Sequence, residues 1–443
     1  MPLRLKSNVK PGRLEGLIAA LPSHYELRGE SFCLLTFSGD AVRASIADSY
    51  ECPADMHSID FWGCVRSATR NMFPQGPFNL FRFEEKLALA LTDFRKTTPR
   101  RFVAWARINH RADASARFRF LGNDVRLYQD VPATLAKLWR DPSEHNSSIS
   151  SDPGGGVISV QGQFRGADAA GYTLSDLLDR FVAFLNFWQN DPSGFTFPTG
   201  ARAVFRLGPT FNLLDVEAKS YGDGYWTNPD FDKTFWSRGH DKSERFRHSM
   251  NRVKALQRHS ATNPLFETAV RCMMLLNSGW TAREDQHGLM LVWSCFEKIF
   301  STGADGTKGG YAAIARRAAK FDQASAVREA VLQTLASHRN DAAHANGRSG
   351  SSYLAREVVS ECSQYLLWLI RWLVREGRRF RSRAEFLEWV DIPKERERLL
   401  QRRRLDNMAL TYWHSPPDKS DRQPPASSSI ATIVERQWSD GES

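Results

Sequence analysis

The apolar periodicity of this chain changes near residue 242, and that change constrains the fold more than any other feature. Before it, from about Ser31 to Tyr221, short runs rich in β-branched and aromatic residues recur: SFCLLTF (31–37), RFVAWARI (101–108), ARFRFLGNDVRLY (116–128), GVISVQGQF (156–164) and ARAVFRL (201–207). After it, apolar residues recur at helical spacing without strand-like alternation. The pattern predicts an α+β protein: a mostly β amino-terminal region over 1–241, with a division near residue 150 left open, an all-α bundle over 242–400, and a flexible tail over 415–443.

Within the first region, Gly122, Asn123 and Asp124 form an expected hairpin turn. One helix stands out, with Thr173 and Asp176 as its capping-box start and Leu174, Leu177, Leu178, Phe181, Leu185 and Trp188 on its apolar side. A Ser-rich run from Ser147 and the Asp152–Gly156 turn cluster mark either a long loop or a subdomain boundary. Beyond 242, helices are expected over 263–277, 282–300, 311–321, 325–345, 352–375 and 383–389, broken by loops at 301–310 and 346–352. A basic stripe, Arg375, Arg378, Arg379, Arg381, Arg383 and then Arg402–Arg404, reads either as a solvated helix face or as a phosphate-contacting surface.

A length of 443 residues implies two or three cores. With 42% hydrophobic and 25% charged residues, wholesale disorder is excluded. Lys+Arg 60 against Asp+Glu 50 gives a net charge of +10, which favours polyanionic partners such as RNA or DNA. Residues 1–12 lack the apolar run of a secretory signal, and the longest apolar stretch, Tyr365 to Val374, is short and contains Arg371; a cytoplasmic protein without a membrane partner is expected. The six cysteines are scattered, with no zinc-site spacing, and read as reduced thiols; no cofactor or metal is expected.

The most informative segment is VREAVLQTLASHRNDAAHANG, Val327 to Gly347, in which Val327, Val331 and Leu335 form an apolar stripe and Asn346-Gly347 supplies the stop. It carries Arg339, Asn340 and His344. Asn340 and His344 share a helix face at i and i+4, whereas Arg339 and His344 stand roughly 140° apart. Two copies of such a helix around a two-fold axis would surround one cleft with two His and two Arg. RNA cleavage without a metal needs a proton acceptor for the 2′-OH, a proton donor for the leaving 5′-oxygen and a cation for the phosphorus oxygens. His344 suits proton transfer, its place in the last helical turn favouring the imidazolium; Arg339 suits bidentate phosphate binding, and Asn340 would orient the imidazole or touch the phosphate. The Arg-x4-His spacing alone is not specific: about one chance match is expected in such a chain. Arg140 to His145 is one, with Pro142 excluding a helix there.

The carboxy-terminal half, roughly 243–390, resembles the HEPN superfamily, and within it the ApeA-like HEPN domains of prokaryotic anti-phage defence proteins. The resemblance lies in LMLVWSCFEKIFS (289–301), YAAIARRAAKF (311–321), the RNDAAHANG segment and YLAREVVSECSQYLLWLIRWLV (353–374). It implies a helical bundle that dimerises, and a metal-independent endoribonuclease in which Arg339 and His344 are catalytic and Asn340 is the polar second position. It further implies a toxin-type effector of abortive infection, with RNA as substrate and a phage trigger not identified by the sequence. The alternatives are a non-catalytic HEPN module that binds nucleotide or RNA, or only dimerises, and an RNA-guided nuclease. The amino-terminal region would then sense or restrain.

Other residues carry two readings each. Glu297 either supports the motif helix or points to solvent. His338 reads as a helix-surface residue or as a second catalytic imidazole, and Asp341 as a partner of His344 or of a surface cation. The loop Gly303–Gly310 lacks P-loop spacing and reads as a connector, as does Asp152–Gly156. Phe118, Arg119 and Phe120, and Phe246 with Arg247, would either stack bases or simply alternate faces.

Overall fold

The computed structural model describes residues 3–28, 31–36, 38–74, 76–110, 115–130, 132, 155–190, 203–216, 225–227, 243–257, 262–282, 285–302, 310–343, 352–393 and 395–414. The expected boundary at 241/242, the Ser147 run, the Arg140–His145 match, the 303–309 and 346–351 loop residues and the 415–443 tail lie outside the described residues. The chain forms two compact units, Met1–Arg383 and Ala384–Ser443. Among the described residues no helix is long and apolar enough to cross a membrane.

The amino-terminal region is mixed α+β rather than mostly β. Four helices, α1 (Pro11–His24), α2 (Ser38–Asp48), α3 (Ser58–Met72) and α4 (Leu80–Lys96), precede the main sheet. They share a core of Leu14, Ile18, Leu21, Ile46, Phe61, Val65, Met72, Phe83 and Leu87. Strands β1 (Tyr25–Arg28) and β2 (Ser31–Leu34) form a small hairpin between α1 and α2. The helical signal was present: Phe61, Val65, Ala68 and Met72 recur at intervals of three and four, and the Asn79 side chain caps α4 by accepting from the Arg82 N–H at 2.9 Å.

The main sheet is antiparallel throughout: β4 (Ala116–Phe120), β5 (Asn123–Tyr128), β6 (Gly156–Phe164), β3 (Arg100–Ile108) and β7 (Leu207–Asp215), in that order, with the short β8 (Tyr225–Thr227) paired to β7. Four of the five expected strand runs appear as strands; in the fifth, Leu207 is the only one of the described residues 203–207 in a strand, where β7 begins. The β4–β5 turn falls on Leu121 and Gly122, both at positive φ, with Phe120 paired to Asn123. This two-residue geometry matches strand twist and suits glycine.

Helix α5 (Ala167–Gln189) covers one face of the sheet. It starts at Ala167 with Gly166 as N-cap, so Thr173 lies inside it rather than capping it. Phe118 of β4 stacks on its Phe181 and Phe120 meets the same ring edge to face, each with ring centroids 5.2 Å apart.

Past residue 242 every described element is helical: α6 (Ser243–Gln257), α7 (Phe266–Thr281), α8 (Asp285–Phe300), α9 (Gly310–Ala319), α10 (Ser325–Ala343) and α11 (Ser352–Glu376) in the first unit, then α12 (Arg383–Asp391) and α13 (Arg396–His414). α8 is the centre of the bundle, packed against α7, α9, α10 and α11 through Val292, Trp293, Phe296 and Ile299. At the α7–α8 crossing, a Cβ on Gly288 would stand 3.1 Å from the Gly279 carbonyl oxygen, so a bare backbone permits the close approach.

α5 ties the sheet to this bundle. The fully buried Asn186 donates to the Phe205 carbonyl at 2.8 Å and to the Asn277 side chain of α7 at 2.7 Å, and accepts from the Phe205 N–H at 2.8 Å. Arg180 of α5 pairs with Glu267 of α7, and Arg371 of α11 lies over the rings of Phe187 and Trp188 while donating to the Asn190 carbonyl. Arg371, a charge within an apolar run, thus closes a helix–helix contact.

Candidate functional site

The expected apolar stripe of α10 holds in part: Leu335 is fully buried and Val331 half-buried. Val327 is 67% exposed, and the buried line runs through Leu332, Leu335 and Ala336. Arg339 follows these at i+4 and i+3, so its side chain continues the inward-facing line and reaches neighbouring helices.

Four residues from three helices converge there. Arg339 Nη1 donates to the Tyr311 hydroxyl at 2.8 Å, and its guanidinium carbon lies 5.4 Å from the Tyr311 ring centroid. Arg339 Nη2 stands 3.9 Å from Glu297 Oε1, the atom that also accepts from Trp293 Nε1 at 2.7 Å. Trp293 and Tyr311 meet edge to face with centroids 5.7 Å apart. The side chains of Arg339 and Glu297 are 27% and 30% exposed, so the guanidinium is oriented by the protein yet open to solvent. Such a group can take an anionic oxygen without first losing much side-chain freedom. Its weakness is Glu297: a carboxylate at 3.9 Å offsets part of the positive field.

Asn340 is half-buried, and its amide oxygen accepts from Arg339 Nη1 at 3.3 Å, so its observed contact is with the arginine. Glu297 bridges α8 and α10, which favours the supporting reading over a solvent-facing one. His338 is half-buried. His344 and the Asp341 side chain lie outside the described residues. Sequence reasoning did not single out Tyr311 and Trp293 as site residues. They stand far from the motif in sequence, and nothing local distinguishes them from core aromatics.

The aromatic–basic segments resolve toward structure. Phe118 and Phe120 pack on α5, and Phe246 stacks on His110 with centroids 4.7 Å apart. In the basic stripe, the exposed Arg375 and Arg379 each reach Glu376 at 2.7 Å, and on α13 the exposed Arg402 stands 3.9 Å from Asp406 beside the exposed Arg403 and Arg404. None of the six cysteines is in a disulfide. Cys272 and Cys295 are fully buried, and each thiol donates to the other's carbonyl. Burial pushes the Cys295 thiol up, and the Cys362 thiol up to about 12, which leaves neither as a nucleophile.

A second oriented arginine holds the α10 amino terminus. Arg328 pairs with Asp322 and with Glu361 of α11, both at 2.8 Å, and lies over the Tyr365 ring, whose hydroxyl donates to the Ala318 carbonyl. The Arg328 hydrogen bond holds the Asp322 carboxyl below its usual range. α10 is therefore fixed at its start by Arg328 and near its end by Arg339. No family model, curated protein or solved structure matches this chain.

Proposed function

We propose that this protein is a HEPN-type, metal-independent endoribonuclease that works as a dimer, with Arg339 and His344 as its catalytic residues and RNA as its substrate. The observation that carries the reading is the setting of Arg339: the motif arginine is turned inward, oriented by Tyr311, Asn340 and Glu297, and left partly open to solvent. An arginine serving only surface solubility has no need of three positioning partners.

In the proposed reaction the ribose 2′-oxygen attacks the adjacent phosphorus as a base removes its proton. The bond from phosphorus to the 5′-oxygen breaks, and an imidazolium gives that oxygen its proton. The products are a 2′,3′-cyclic phosphate and a 5′-hydroxyl. Arg339 neutralises the charge gathering on the phosphoryl oxygens. His344 and His344 of the partner subunit supply the acid and the base, which is why a dimer is part of the reading. Asn340 acts through the guanidinium as a positioning residue. The biological setting that fits is a toxin-type effector of anti-phage defence, with the amino-terminal region coupling a trigger to the bundle.

Glu297 favours a second reading, a HEPN module that binds phosphate without cleaving, because its carboxylate tempers the charge of Arg339. Controlled expression separates the two. A nuclease predicts that wild type arrests growth with fragmentation of cellular RNA while His344→Ala is tolerated. A binding module predicts the same growth and intact RNA for both.

A further inference from the structure

We infer that the outer face of the main sheet, at its β4–β5–β6–β3 end, binds the phosphate ester of a nucleotide or of a nucleic-acid strand. This site does not rest on the endoribonuclease reading, since no residue of the helical bundle contributes to it.

The face opens as a concavity of about 880 Å³, lined by Arg101, Arg117, Arg119, Asp124, Gln161 and Gln163 among others. That volume suits a small organic anion. Strand register gathers these side chains on one surface: Arg119 is paired across to Asp124, Asp124 to Gln161, and Arg101 to Gln163. The alternate residues Phe118, Phe120, Val125 and Val160 take the opposite face, toward α5.

The charges are unevenly used. Asp124 is occupied by Arg117 at 2.7 Å, Arg126 at 3.4 Å and Gln161 at 3.0 Å. Arg101 and Arg119 are exposed, and among the described residues neither side chain makes an ion pair or hydrogen bond. One carboxylate, paired with two of the four arginines Arg101, Arg117, Arg119 and Arg126, leaves the surface positive, and like charges grouped on a sheet are unfavourable unless an anion joins them. Two unengaged guanidinium forks beside the amides of Gln161 and Gln163 offer what a phosphate ester needs: charge-assisted donors for its oxygens, and neutral donors and acceptors for the attached sugar or base. Further along the same face, Trp105 and Val157 are fully buried, so the open basic end is a local feature rather than the character of the whole surface. Phe118 is stacked inward on Phe181, which makes recognition through phosphate rather than through base stacking.

The test uses the full chain with two probes: ATP, followed by calorimetry, and a short fluorescein-labelled 2′-O-methyl oligouridylate, which lacks the attacking hydroxyl, followed by anisotropy. Binding of either probe, weakened about tenfold or more in Arg101→Gln/Arg119→Gln and retained in Arg339→Ala, supports the site. ATP binding marks a mononucleotide site, and binding of the oligonucleotide alone marks a strand site. Gln163→Glu, which keeps every arginine and sets a carboxylate opposite Arg101, is expected to weaken binding as well and guards against a misfolded double variant. The inference is overturned if neither probe binds wild type, if the variants bind as wild type does, or if Arg339→Ala alone abolishes binding.

Discussion

Arg339 shows how a charged residue is held without being buried. Its hydrogen bond to Tyr311 fixes the guanidinium, while the ring beneath it supplies cation–π attraction that does not need the hydroxyl. Tyr311→Phe separates the two contributions. The lost bond costs about 1 kcal/mol of stability, so the melting temperature falls by only a few degrees. A loosened guanidinium is expected to slow RNA cleavage about tenfold, read in single-turnover assays at saturating RNA. A large fall in melting temperature with unchanged cleavage would make Tyr311 purely structural. Asp322 offers a second test, in pH. Because Arg328 depresses its folded-state pKa, the carboxylate stabilises the protein above about pH 4, its unfolded value, and loses that contribution as pH falls through the folded value. Asp322→Asn is expected to melt below wild type at pH 7, with the gap closing toward pH 3. A gap independent of pH would show that the ion pair contributes nothing to stability.

Among the elements, α5 has the widest set of contacts, since it covers the sheet and meets α7. Asn186 is central there, because its amide serves the Phe205 backbone in both directions and Asn277 as well. Asn186→Leu leaves those groups buried without partners, and a loss of about 2–4 kcal/mol is expected, measured by chemical denaturation. A loss below about 1 kcal/mol would mean that water or a local shift replaces the amide. Helices α7 to α12 were legible from their apolar spacing and the polar or glycine-rich breaks between them, and α8, α10 and α11 fall within a few residues of expectation, whereas the strongly polar α6 and α13 were not among the expected helices. Strands β3 to β6 were legible from alternation, and β6 from its unbroken apolar start. Helices α1 to α4 were not, because their three-to-four spacing is interrupted by polar residues and was outweighed by nearby strand-like runs such as SFCLLTF. On α10 the expected Leu335 is buried, whereas Val327 is apolar yet exposed, a distinction that tertiary packing makes and composition does not. Arg339 and Glu297 were visible as candidates, but Tyr311 and Trp293 became part of the site only through the packing of α9 on α8.

For the whole molecule, the proposed chemistry needs two imidazoles at one cleft and so two copies of the chain. Sedimentation equilibrium at micromolar concentration is expected to show a dimer, and a strict monomer that still cleaves RNA would remove the composite site. The account rests on metal-free strand transfer by Arg339 and His344, and the direct test is to incubate purified wild type, Arg339→Ala and His344→Ala with labelled total RNA in EDTA and to analyse the new ends. Cleavage by wild type alone is expected, leaving 2′,3′-cyclic phosphate and 5′-hydroxyl ends. Cleavage by all three proteins alike, or wild-type fragments ending in 5′-phosphate, would contradict it.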